Sequence, residues 1–146
     1  MKRIGILALF ALLVGMTACE EDEVFTFENG VYTAEAADFH YGWKAYMRAE
    51  IENDELVAVE FDYDNEAGDQ KKSETTDQEY PMDPHPRVWC PQIEDQLLAV
   101  DITNFVEIDG VSGATGGSEE ANQLFAAILD AAETGDTNVQ VLPAEE

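Results

Sequence analysis

From residue 45 to 64 the chain reads AYMRAEIENDELVAVEFDYD, and apolar and polar residues alternate along almost all of it. Period-two alternation places every second side chain on one face of an extended strand. Ala45, Met47, Ala49 and Ile51 share a face of the first half, and Val57, Val59, Phe61 and Tyr63 share a face of the second. Asn53-Asp54 between them is a turn signal, so the two halves read as a β-hairpin. A lone hairpin with one apolar face is marginal in water. Other parts of the chain must cover that face.

Two stretches have the period of a helix instead. Across 119–134, Ala121, Leu124, Phe125, Ile128, Leu129 and Ala132 form an i, i+3, i+4, i+7 stripe. Ser118 suits its N-cap, Glu119 and Glu120 its first turn, and Gly135 its end. From Gln92, Ile93, Leu97, Leu98 and Ile102 have helical spacing that fades near Asn104. GVYTAEAAD, from Gly30, alternates as a strand, and 139–142 reads as a last one. Residues 39–44 form an aromatic turn, 65–82 is polar without period, and DPHPRVWCP, with three prolines, reads as a loop. The expected fold is one α+β domain: a twisted, mainly antiparallel sheet with helices packed on one side.

The N-terminus reads MKRIGILALFALLVGMTAC. Basic Lys2 and Arg3, an apolar run over 4–16 and small Thr17 and Ala18 have the layout of a secretory signal peptide. The run is shorter than the roughly 20 residues a membrane-spanning helix needs. A small residue before Cys19 resembles the lipobox of bacterial lipoproteins, with Met16 where that box most often has leucine. The expected organisation is a lipoprotein signal peptide over 1–18, a lipidated Cys19, an acidic tether over 19–29 and one domain over 30–143. Two or more acyl chains hold a protein stably on a membrane without spanning it. The chain is therefore expected outside the cytoplasm, tethered to a bacterial cell membrane.

With 32 acidic against 7 basic residues the net charge is −25, and the signal peptide takes two of the basic ones. Nucleic acid is excluded as a partner, because phosphate backbones need Lys and Arg. Anionic lipid surfaces are repelled, whereas a basic redox partner or a high-salt habitat fits. With Cys19 lipidated, Cys90 alone cannot close an internal disulfide. No CxxC, CxxCH or His-rich spacing occurs, which disfavours zinc, haem and iron–sulfur sites. His40 and His85 read as surface or turn residues, and Cys90 as a half-buried small apolar one.

Between the two helical stretches lies DGVSGATGGSEE, residues 109–120. Glycines running into a helix N-terminus let backbone N–H groups approach an anion, and the helix dipole favours it. The spacing is neither GxxxxGK[ST] nor GxGxxG after a strand. From the residues alone the loop is a capped linker, a weak phosphate cradle or a point of covalent attachment.

Asp109-Gly110-Val111-Ser112-Gly113-Ala114-Thr115 resembles the flavinylation signature of the FMN-binding domain family. That family includes the C subunit of the sodium-translocating NADH:quinone oxidoreductase, the G subunit of the Rnf complex and surface flavoprotein lipoproteins. The order of Gly-x-Tyr at Gly30, Gly42-Trp43-Lys44, a hairpin, Lys72-Ser73-Glu74, a proline loop and the SGAT loop is similar to that of the lipoprotein members. The resemblance covers nearly all of the chain after Cys19. It implies FMN held by a phosphoester on Thr115, installed from FAD by a flavin transferase. Asp109, Gly110, Ser112, Gly113, Ala114 and Ser118 would surround it. Gly116 and Gly117 precede Ser118, so one hydroxyl common in the family is absent. Tyr41, Trp43 and Tyr46 are candidates to flank the flavin ring, Trp43 foremost, and Lys44 and Lys72 to touch its phosphate or ring.

The implied function is a membrane-anchored electron carrier between a membrane redox donor and an extracytoplasmic acceptor. A flavin-dependent reductase with its own small substrate and an unmodified surface lipoprotein acting as a binding module are the alternatives. No acid, base or nucleophile constellation marks a substrate reaction by this chain itself.

Overall fold

The structure, a computed structural model, describes residues 22–144. The expected signal peptide, Cys19 and the first residues of the expected tether lie outside the described residues. Among those described, no helix is long and apolar enough to cross a membrane.

The alternating segments form three antiparallel strands: β1 (Gly30–Ala36), β2 (Trp43–Glu52) and β3 (Glu55–Asn65). The two-residue turn between β2 and β3 has Asn53 at φ 51° and Asp54 at φ 60°. Both are left-handed, as a type I′ hairpin requires, and Asn and Asp tolerate that region. β4 (Gln140–Leu142) joins β1 in parallel, giving a mixed sheet in the order β3-β2-β1-β4.

Ala45, Met47, Ala49 and Ile51 are all buried, as their alternation requires. The second strand departs from expectation. Glu50 pairs with Ala58 but Ile51 pairs with Leu56, so Val57 is the extra residue of a β-bulge. Val57 is 45% exposed, and Leu56 packs against the core in its place.

Two helices cover the apolar face. α2 (Thr115–Thr134) packs on β1, β2 and β4, and α1 (Pro86–Leu98) lies along β3. The stripe of α2 is buried as read, and Gly135 ends it in the left-handed conformation. α1 begins six residues before Gln92, inside the segment read as a loop. Its N-cap is His85 and its first residue Pro86, whose fixed φ and missing N–H suit that position. Pro91 stands on the exposed side, where water can take the carbonyl it leaves unpaired. The helix stops at Leu98, and Ile102–Asn104 forms a separate 3-10 turn. Glu94 of α1 accepts a hydrogen bond from the Phe61 N–H at 2.8 Å, which closes part of the open edge of β3.

Candidate functional site

The glycine loop is bolted down by side chains from both helices. Gln96 Nε2 donates to Gly110 O at 2.8 Å, and the Gly110 N–H donates to Gln96 Oε1 at 2.9 Å. Asn122 Oδ1 accepts from the Ile108 N–H at 2.9 Å. Ser118 Oγ accepts from the Val111 N–H at 2.9 Å and donates to Ala114 O at 2.8 Å. Ser118 is therefore a buried clamp inside α2 and not its N-cap; the helix starts at Thr115, after Ala114. Gly110 is at φ +85°, and a Cβ on it would meet Ser118 Cβ at 2.8 Å.

This geometry leaves Thr115 exposed as the first helical residue. Among the described residues, the N–H groups of Thr115, Gly116 and Gly117 have no protein acceptor. They are the donors every helix N-terminus leaves free, and the dipole makes that end positive. The two glycines differ. A Cβ on Gly116 would have open space, whereas one on Gly117 would lie 2.6 Å from Trp89 Cζ3.

Thr115, Gly116 and Gly117 open on a cleft of about 360 Å³, a size within the range of small-ligand sites. Aromatic residues line it too: Tyr63 from β3 and Trp89 from α1, both almost fully buried, and Tyr80 from the segment between them, with Met82 and His40. Tyr63 and Trp89 meet edge to face with centroids 5.9 Å apart. The Tyr63 hydroxyl donates to Glu120 Oε2. Burial, then the Glu120 carboxylate, push that phenol far above its usual range, so it stays a donor. The Nζ of Lys72 lies 4.1 Å from the Tyr63 ring centroid and 4.8 Å from that of Tyr80.

Buried polar groups hold the strap that carries Lys72. Asp62 accepts from both the N–H and the hydroxyl of Ser73. Thr75 Oγ1 donates to Lys72 O at 2.6 Å and stands 3.3 Å from His85 Nε2. His85 Nδ1 accepts from the Arg87 N–H, so Nε2 carries the proton and donates to Thr75. This neutral tautomer satisfies both ring nitrogens, and His85, read as a surface or turn residue, is a buried link from α1 to the Lys72 strap. Aromatic side chains apart, the buried polar or charged residues among those described are Asp62, Thr75, His85 and Ser118. All four brace one wall of the cleft or the other.

The residues read from the sequence divide accordingly. Gly113, Ala114 and Thr115 line the cleft. Asp109, Gly110, Ser112 and Ser118 line a hollow behind the loop that also reaches Thr115. Trp43 packs against the core and is not among the cleft-lining residues. Tyr41 is 94% exposed, and Tyr46 points to the outer face of the sheet, where it donates to Glu60 at 2.7 Å. Lys44 pairs with Glu35 at 3.0 Å instead of reaching the cleft, which Lys72 does line. No local sequence signal marks Tyr63, Tyr80 and Trp89 as residues of the cleft. Tyr63 followed a strand alternation and Trp89 a proline-rich stretch, and neither pattern tells which core aromatic borders a cavity. Cys90 is fully buried rather than half-buried.

No protein-family model matches the chain, and no curated protein does. Among solved structures it is similar to the CPE2226 protein from Clostridium perfringens, with a TM-score of 0.72 and 25% identity. The match covers 82% of this chain and 99% of that one.

Proposed function

We propose that this chain is an extracytoplasmic electron carrier bearing FMN on Thr115 through a phosphoester, tethered to the membrane by lipids on Cys19. The observation that carries the proposal is the exposed Thr115 hydroxyl at the start of α2, opening on a cleft that aromatic residues also line. The residues present suit the group. The free N–H groups of Thr115, Gly116 and Gly117 would face a phosphodiester, which keeps one negative charge. Gly116 leaves space beside it and Gly117 lets Trp89 come close. Tyr80, Met82 and His40 offer partly exposed surface to a flat ring system, backed by the buried Tyr63 and Trp89. In the attachment reaction Thr115 Oγ would form a bond to the FMN phosphorus of FAD and displace AMP, its proton passing to a base of the transferase.

Once bound, FMN would supply the one- and two-electron chemistry; the protein would supply position and electrostatics. Covalent attachment suits a chain of charge −25, which repels a free phosphate dianion. A membrane redox donor and an extracytoplasmic acceptor complete the path. The test is an intact mass of the mature chain exported beside a flavin transferase, with Thr115→Ala as control. The expected result is an FMN adduct, and a yellow colour that survives denaturation, in the wild type alone. An unmodified wild-type mass would overturn the proposal and leave a surface binding module.

A further inference from the structure

We infer that Lys72 is the counter-charge of the cleft, favouring negative charge on a flavin ring held there and so setting its reduction potential. The inference rests on the flavin reading above and adds a residue role to it.

Lys72 stands apart from the other cations. Lys44 pairs with Glu35, Lys71 with Glu60 and Arg87 with Asp77. Lys72 forms no ion pair among the described residues. Arg48 forms none either, but it is solvent-exposed and is not among the residues lining the cleft. In a chain with 32 carboxylate side chains, a part-buried lysine without one needs a reason, since opposite charges attract over several ångströms. Glu120 lines the same cleft but receives the Tyr63 hydroxyl instead. The ammonium is held over two aromatic rings, on a backbone fixed at Ser73 by Asp62 and at Lys72 O by Thr75. It is a placed cation rather than a solvated one.

Two-electron reduction of a flavin ring with uptake of one proton adds one net negative charge. A cation lining the same cleft stabilises that form over the oxidised one, and the potential rises. Lys72 lines the same cleft as Thr115, so a ring attached at Thr115 and held in that cleft lies near the ammonium.

The experiment uses the chain loaded with covalent FMN, loading verified by mass, and reads the midpoint potential in a dithionite titration with mediators. Lys72→Met keeps the stem and removes the charge; Lys72→Gln is the second neutral variant. Both are expected to shift the oxidised–reduced equilibrium about tenfold toward the oxidised form, near 30 mV for a two-electron couple. Lys72→Arg is expected to stay close to wild type. A role confined to packing would move the thermal midpoint and leave the potential alone. A loaded Lys72→Met chain with the wild-type potential overturns the role of Lys72 while the flavin reading stands. A wild-type chain that takes no flavin overturns both.

Discussion

Gln96 and Gly110 are joined twice, amide to carbonyl and N–H to amide oxygen, at 2.8 and 2.9 Å. One side chain of α1 thus satisfies both backbone groups of a glycine in the loop before α2. Through this pair the helix that carries Trp89 also sets the loop that presents Thr115.

Replacing Gln96 by Ala leaves both Gly110 groups without their partner in a part-buried position. The expected cost is about 1–3 kcal/mol, measured by urea unfolding. The Gly110 amide should exchange its hydrogen faster than those of the α2 core, and the proposed FMN attachment at Thr115 should slow. Unchanged exchange at Gly110 would show that the pair does not restrain the loop.

The adjacent glycines should respond in opposite directions. Gly117→Ala places a methyl against Trp89, at a Cβ distance of 2.6 Å from Cζ3, and should destabilise by about 1–3 kcal/mol. Gly116→Ala meets nothing within 4 Å and should stabilise the unmodified domain by up to about 1 kcal/mol. Thermal unfolding of the two variants decides it; a stabilised Gly117→Ala would mean the Trp89 contact is loose.

Glu94 carries a pH signature. Burial, then the nearby Glu60 and Asp62 charges, raise its carboxyl above the ordinary 4.5, against the Phe61 N–H that lowers it. The folded state then binds more protons than the unfolded one, so this group removes stability as the pH climbs from 4.5 through its folded value. Glu94→Gln keeps the acceptor for Phe61 without the charge. It should be more stable than wild type at neutral pH, with the difference closing in acid below about pH 4. A variant less stable at neutral pH would contradict this reading.

Cys90 should be inert in the native state. Burial first, then Asp62 and Glu94, push its thiol well above the usual range, and it is 2% exposed. In a Cys19→Ser chain, Ellman's reagent should label it only as denaturant unfolds the domain. Rapid labelling without denaturant would point to an opening near α1.

The hairpin, the apolar stripe of α2 and its glycine stop were legible because each rests on local periodicity and turn chemistry. The alternation of β2 could be read residue by residue, from Ala45 to Ile51. SGAT and Thr115 could be read as a pattern, and the structure places Thr115 at the mouth of a cleft. Less was visible where a long-range contact overrides a local signal. The alternation 57–63 did not reveal the bulge at Val57, because a bulge is a property of two paired strands and not of one. The prolines around Trp89 suggested a loop. Yet Pro86 starts α1 and Pro91 sits on its exposed side, with the helix held against β3 by Trp89, Ile93 and Leu97.

By itself, then, the sequence determined the secondary elements whose side-chain period matches one buried face, and hence the α+β class. Only tertiary structure decided which residues meet around Thr115. Tyr63, Tyr80, Trp89 and Lys72 come from separate segments, and Asp62, Thr75, His85 and Ser118 bury their polar groups to hold those segments in place. Periodicity assigns a side chain to a face, whereas a cleft is defined by which faces come to lie opposite one another once the core has packed.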